Sequence, residues 1–265
     1  MTIKLIQAKS ILNESKAFQS YTLNPYSGCP HGCVYCYNLQ FIQRFKPDKK
    51  WGQFMEVKIN APEILEKEVV RKSKNEVFFS TITDAYNPLE QKYQITQKCL
   101  KILLEHQWPV NILTKSDLIL RDLELIKSFK QKEVGFSLIN LDPKIAKILE
   151  PRASLPEKRL LALQTLHQAG IPTYAFIGPI IPYLTDLPLI FKNLAGKVDK
   201  VLLDTFNTAP ANWQNFKNAL EPNFPELIPK CQELLFQKRR IYENNLRQES
   251  LKLSQQFNLP ATLCF

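Results

Sequence analysis

No stretch of this 265-residue chain approaches the roughly 18 consecutive apolar residues that spanning a bilayer requires. The longest candidate, Tyr174 to Leu184, is interrupted by Pro179 and Pro182. The opening residues, Met1-Thr2-Ile3-Lys4-Leu5, turn polar too soon to form the apolar centre of a secretory signal. The expectation is therefore a cytoplasmic protein with no membrane partner. Internal repeats and low-complexity tracts are also missing, which speaks against a repeat array or a disordered linker.

What remains is ordinary globular composition, 45% hydrophobic and 23% charged, enough to bury a full core. A chain of this length fits one large domain or two small ones, and α/β barrels commonly reach it as one. The charge is less ordinary, with a net of +10 and a pI near 9.2. Clustered Lys and Arg attract phosphates, so nucleic acid is a permitted partner. The lysines are nevertheless scattered along the chain. The one tight basic run is Lys238-Arg239-Arg240.

Cysteine is present, but not in paired motifs. Three of the six lie in one stretch, Asn24-Pro25-Tyr26-Ser27-Gly28-Cys29-Pro30-His31-Gly32-Cys33-Val34-Tyr35-Cys36-Tyr37-Asn38. The spacing is C-x-x-x-C-x-x-C, in a loop punctuated by Gly28, Pro30 and Gly32, residues that let a backbone curl around one centre. Without a secretory signal, three such thiols indicate a metal or iron–sulfur site rather than a disulfide framework. A closed zinc site and most iron–sulfur clusters take four protein ligands. Three cysteines with no second pair leave one position for something else. His31 is a formal candidate to complete a zinc site, but it sits between the first two cysteines, and two short adjacent steps make a poor tetrahedral cage. A loop-shaping role suits it better. Cys99 and Cys231 fall on apolar helical stripes and read as core thiols, and Cys264 carries no pattern.

The motif, with Tyr35 before the last cysteine, resembles the cluster loop of the radical S-adenosylmethionine (SAM) superfamily. The longer string Asn24-Pro25-Tyr26-x-Gly28-Cys29-x-His31-Gly32-Cys33-x-Tyr35-Cys36-Tyr37 is similar to the spore-photoproduct-lyase-like branch. The resemblance implies that Cys29, Cys33 and Cys36 hold a [4Fe-4S] cluster whose fourth iron binds the methionyl amino and carboxylate groups of SAM. It further implies reductive cleavage of the sulfonium to a 5′-deoxyadenosyl radical. The branch's lyases place a cysteine hydrogen-atom donor after the second strand, in a segment resembling Ser80 to Asp84. This chain has Thr81 nearest that position and no cysteine, so repair of thymine photodimers is not expected.

Hydrophobic patterning places strands at Tyr21–Leu23, Val77–Ile82, Val110–Thr114, Val134–Ile139, Thr173–Gly178 and Val201–Thr205, the last two closing the series, with another at Phe54–Ile59. Helices are expected from Ala61 to Arg71, from Ile95 to His106, from the end of the third strand to Phe129, from Pro143 to Leu149, and from Pro156 to Gly170. Strands alternating with helices mean a parallel sheet, open or in a barrel. The resemblance selects a partial (β/α)6 barrel, and barrels of this kind carry their chemistry at the strands' C-terminal ends. Residues 1–20 read as an N-terminal extension, 21–206 as the core barrel, and 207–265 as a helical C-terminal cap.

Polar residues at those strand ends are the remaining site candidates. The resemblance suggests Asp84 for the methionyl ammonium and Lys115, within Thr114-Lys115-Ser116, for the methionyl carboxylate. It suggests the Ser137 hydroxyl for the ribose, and the glycine at the end of the fifth strand, Gly178, permits close backbone approach to adenine. Glu150-Pro151-Arg152 resembles a recurring segment of the branch, in which Arg152 binds a carboxylate or phosphate, or pairs with Glu150. The leading reading is a radical SAM enzyme that abstracts hydrogen from an unidentified substrate, supplied with electrons by a flavodoxin- or ferredoxin-type donor. Two alternatives remain: a nucleic-acid-binding protein with a structural zinc site, and a radical SAM enzyme acting on DNA or RNA, which needs a basic face beside the barrel mouth.

Overall fold

The computed structural model describes residues 1–16 and 19–265. Ala17 and Phe18, at the end of the expected N-terminal extension, lie outside the described residues. The strands are β1 (Thr2–Ile6), β2 (Leu12–Ser15), β3 (Ser20–Leu23), β4 (Tyr26–Ser27), β5 (Phe54–Lys58), β6 (Val77–Phe79), β7 (Val110–Thr114), β8 (Lys132–Ser137), β9 (Thr173–Ile180), β10 (Lys200–Thr205) and β11 (Ala261–Leu263). The main sheet runs β11-β10-β9-β8-β7-β6-β3-β2. From β3 to β10 every neighbour is parallel, giving the six strands of a partial (β/α)6 barrel.

The intervening helices are α1 (Asn38–Phe45), α2 (Ala61–Val69), α3 (Glu90–Tyr93), α4 (Ile95–Glu105), α5 (Leu123–Lys127), α6 (Pro143–Leu149), α7 (Pro156–Gln168) and α8 (Leu187–Leu194). Then come α9 (Pro210–Leu220), α10 (Leu227–Gln232) and α11 (Arg239–Gln256). Proline in the first turn opens α2, α6, α7, α8 and α9, where its missing N–H has no intrahelical partner to lose.

Strand alternation sorts the two faces of the sheet. Val110, Ile112, Val134, Phe136, Ala175, Ile177, Val201 and Leu203 are buried in the continuous core under the helices. Their neighbours Asn111, Glu133, Tyr174 and Lys200 are tied to one another on the opposite, inward face. Tyr174 Oη donates to Asn111 Oδ1 at 2.9 Å, and Lys200 Nζ lies 2.6 Å from Glu133 Oε1. This polar layer floors the barrel near the start of its strands. Gly135 is required there, since a methyl at its position would lie 2.2 Å from the Tyr174 ring.

Several expectations are corrected. Residues 1–16, in which no strand was expected, supply two, with β1 parallel to β5 and β2 antiparallel to β3. The Phe54 strand belongs to a separate β1-β5-β4 sheet rather than to the barrel. The second barrel strand stops at Phe79, because Ser80 takes a positive φ of 75° and turns the chain out of extended geometry. The segment before Phe129 is a 3-10 turn, Asp117–Asp122, followed by the short α5. The strand series does not end at Thr205, because β11 adds in parallel to β10. A three-residue strand flanked by Pro260 and the chain end has too little periodicity to read from sequence.

Candidate active site at the cysteine loop

The loop from Asn24 to Asn38 lies across the C-terminal ends of β6, β7 and β8, and many contacts fix it there. Asn24 spans the end of β6, its Nδ2 donating to Thr81 Oγ1 at 2.9 Å and its Oδ1 accepting from Ile82 N at 3.0 Å. Thr83 Oγ1 donates to the Gly28 carbonyl at 2.5 Å. Val34 N donates to the Leu149 carbonyl at 2.9 Å, and Asn215 Nδ2 of α9 donates to the Val34 carbonyl at 2.7 Å. Trp51 Nε1 donates to the Cys33 carbonyl at 3.1 Å. Gly28 and Gly32 adopt φ of 81° and 63°, left-handed conformations that glycine takes without a Cβ penalty.

Cys29 and Cys33 are buried and Cys36 is half-buried. Burial pushes all three thiols up, Cys33 to about 12, so the protein environment alone does not ionise them. Such thiols become thiolates when a metal displaces their protons. Among the described residues no three His, Cys, Asp or Glu side chains are grouped to hold a single metal ion. A cubane cluster differs from a mononuclear zinc site because each cysteine attaches to a different iron, so three sulfurs need not meet at a point. Three thiols without a fourth protein ligand suit a cluster with one open iron better than a closed zinc site. His31 does not complete one, since it is buried and its Nδ1 lies 3.4 Å from Asp84 Oδ2 with no hydrogen bond satisfied. Burial lowers its pKa and keeps the ring neutral.

Beneath the loop lies a charged group that only the tertiary structure assembles. Glu150 Oε1 accepts from Tyr35 Oη, Oε2 pairs with Arg159 Nη2, and both acidic and basic side chains are 1% exposed. Arg159 also donates to the Ser154 and Ser137 carbonyls. Burial alone raises the Glu150 pKa, but Arg159 and Lys115 outweigh it and hold the carboxylate below its ordinary value. Lys115 faces the same group, its Nζ 5.9 Å from the Tyr35 ring centre. Burial lowers the Lys115 pKa, yet the charge of Cys33, once it is a thiolate, and that of Glu150 overcome this and raise it. Its ammonium makes no hydrogen bond or ion pair with any described residue.

The other candidates are placed less simply. Asp84 is 6% exposed and already accepts from Tyr86 N and Thr114 Oγ1 through Oδ1 and from Lys115 N through Oδ2, which locks β6 to β7. Ser137 is buried at the end of β8, in register with Phe176. A methyl on Gly178 would lie 2.4 Å from the Phe176 ring, so packing already accounts for this glycine. Arg152 does not pair with Glu150. Its Nε donates to the Pro30 carbonyl and its Nη2 to the Gly52 carbonyl at 2.5 Å, clamping the cysteine loop from outside.

A family model described as the radical SAM superfamily matches residues 23–189. The chain belongs to the radical SAM superfamily. It is 36% identical over 222 residues to an uncharacterized protein of Methanocaldococcus jannaschii, covering 83% of each chain. It is 31% identical over 186 residues to an uncharacterized protein of Mycobacterium tuberculosis, covering 67% of this chain and 54% of that one. Among solved structures, spore photoproduct lyase complexed with dinucleoside spore photoproduct superposes with a TM-score of 0.71. It shares 18% identity, covering all of this chain and 82% of that one. This radical SAM enzyme therefore has a [4Fe-4S] cluster and SAM as its cofactors, and its fold is that of the lyase.

Sequence reading missed Arg159 and Trp51 as parts of the site, and it quoted Asn24 within the motif without its role in bonding to the end of β6. Arg159 carried a signal, since it occupies a core position of α7 with Ala162, Leu163 and Leu166 at helical spacing. A charge on such a stripe needs a buried partner. Trp51 carried none, because its contact with Cys33 is made between separate loops.

Proposed function

We propose that Cys29, Cys33 and Cys36 hold the cluster, with Lys115 binding the methionyl carboxylate of SAM. The observation that carries this is the pairing of three thiols, those of Cys29 and Cys33 buried and that of Cys36 half-buried, with an unpartnered ammonium at the ends of adjacent parallel strands. Bound together, the cluster and SAM supply a carbon-centred radical that abstracts hydrogen from substrate. The chain's residues do the remaining work. Lys115 orients SAM by charge, Asp84 holds the strand ends that carry Lys115, and the Ser137 hydroxyl and the backbone near Gly178 face the nucleoside. Arg152 acts from outside, by fixing the loop that bears the cysteines. Burial under the loop excludes water from a reactive intermediate. The parts at 1–20, 21–206 and 207–265 serve as extension, catalytic core and cap. A reducing compartment such as the cytoplasm suits the cluster, and no described helix is long and apolar enough to cross a membrane.

The deciding experiment is anaerobic reconstitution followed by reduction with dithionite in the presence of SAM. Iron and sulfide at about four per chain, with 5′-deoxyadenosine formed and then lost in Cys36→Ala, supports the assignment. Stoichiometric zinc without SAM cleavage overturns it.

A second observation favours nucleic acid as the substrate class. The run Lys238-Arg239-Arg240 opens α11 beside the end of β10, where Arg239 Nη1 donates to Thr208 Oγ1 at 3.0 Å and Nη2 to Thr205 Oγ1 at 3.4 Å. Gln40 of the neighbouring α1 reaches Asn207 in the same loop. Lys238 pairs with Glu233 and Arg239 with Glu243, which leaves Arg240 as the cation of the run without an ion pair to any described residue. It lies beside the exposed rings of Phe236 and Tyr183, a combination suited to a phosphate and unstacked bases. The test is binding to single-stranded DNA and RNA across a salt series. Arg240→Ala should reduce the salt dependence by about one unit of slope. Salt-independent or absent binding removes this reading.

A further inference from the structure

We infer that the loop Lys46–Gln53, with the adjoining Arg152, is the docking face for a small acidic one-electron carrier protein. The inference rests on the cluster assignment above. Three observations carry it. This loop touches the cysteine loop backbone to backbone: a methyl on Gly52 would lie 3.0 Å from the Gly32 Cα and 2.6 Å from Arg152 Nη2. Trp51, half-buried, ends in a hydrogen bond to the carbonyl of Cys33 itself. A partner resting on the indole would thus be separated from a cluster-ligand residue by one side chain and one hydrogen bond. Electron tunnelling falls steeply with distance, so this short approach favours electron entry here.

The charge of the surface chooses the partner. Lys49, Lys50 and Arg152 are exposed, and none forms an ion pair with any described residue. Arg44, in the last turn of α1, stacks over the exposed Phe45 ring at 5.3 Å and extends the basic face. Lys46 is neutralised by Glu56, and Asp48 is the one acidic side chain of the loop. Beside the clamp opens a cleft of about 470 Å3 bounded by His31, Ser116, Arg152 and Lys158. A half-buried indole on a face that carries unpaired cations suits a brief encounter steered by an acidic partner, the usual character of electron-transfer complexes.

The probe is an acidic flavodoxin, used with the reconstituted holoenzyme and a Lys49→Glu/Lys50→Glu variant. Neither lysine holds the cysteine loop, so the variant retains dithionite-driven SAM cleavage. The expected result is flavodoxin binding weakened about tenfold at low salt, measured by titration calorimetry, with flavodoxin-driven 5′-deoxyadenosine formation slowed in proportion. The difference should shrink as salt rises. Unchanged flavodoxin binding and rate in the variant overturn the inference. So does a variant that loses single-stranded DNA binding while flavodoxin binding stays intact, which would give the face to nucleic acid. If wild-type enzyme fails to cleave SAM with dithionite, the cluster assignment falls, while calorimetry still decides the docking face.

Discussion

Arg159 and Glu150 form an ion pair beneath the cysteine loop in which each side chain is only 1% exposed. Removing one partner leaves a buried, uncompensated charge. Arg159→Met should therefore cost about 3–5 kcal/mol, read by chemical denaturation, and Glu150→Gln added to it should recover part of the loss. Strong additivity of the two changes would show that the pair is not coupled.

The same pair sets an acid limit. The folded-state pKa of Glu150 is held below its ordinary value of 4.5. Its contribution is therefore complete above that value and is lost as pH falls through the lower folded value. Denaturation midpoints of wild type should drop more steeply below about pH 4.5 than those of Glu150→Gln. Parallel curves would contradict this.

Each cysteine of the loop is expected to be indispensable. Cys29→Ala, Cys33→Ala and Cys36→Ala should each lose most bound iron and all SAM cleavage, whereas Cys99→Ala and Cys231→Ala should retain both. Both of these latter thiols are buried in the core. Iron retention in any of the first three variants would exclude that residue as a ligand.

Lys115 should act through charge at one substrate group. Lys115→Met is expected to raise the SAM concentration needed for half-maximal cleavage by about tenfold or more, with iron content unchanged. Lys115→Arg should recover part of the affinity. A purely structural lysine would instead lower cluster content and melting temperature together.

Gly178 tests packing against cofactor approach. Gly178→Ala places a methyl 2.4 Å from the Phe176 ring and should destabilise by about 1–3 kcal/mol. Trimming the ring with Phe176→Leu should relieve it. If stability is unaffected and only SAM affinity falls, the glycine serves the nucleoside rather than the ring.

The cysteine loop was legible because its three thiols are adjacent in sequence and its glycines mark the backbone turns. The six parallel strands were legible because short hydrophobic runs alternate with helices. The Pro143 and Pro156 helix starts matched as well, since proline fixes the first turn locally. What escaped were features created by partners distant in sequence. β1, largely exposed, gains its strand geometry from pairing with β5, a strand whose place was readable but whose sheet was not, while β11 is held by β10.

By itself the sequence determined the chemistry: three thiols at fixed spacing, too few to close a site, set on a β/α scaffold. Only the tertiary structure decided who assists them. It gave Asp84 hydrogen bonds that join two strands, and it directed Arg152 to the Pro30 and Gly52 carbonyls instead of to Glu150. It buried Arg159 to balance Glu150 and left the Lys115 ammonium free. The physical reason is that hydrogen bonds and charge pairs are short-ranged, so a side chain's role follows from the groups that folding brings within about 3 Å.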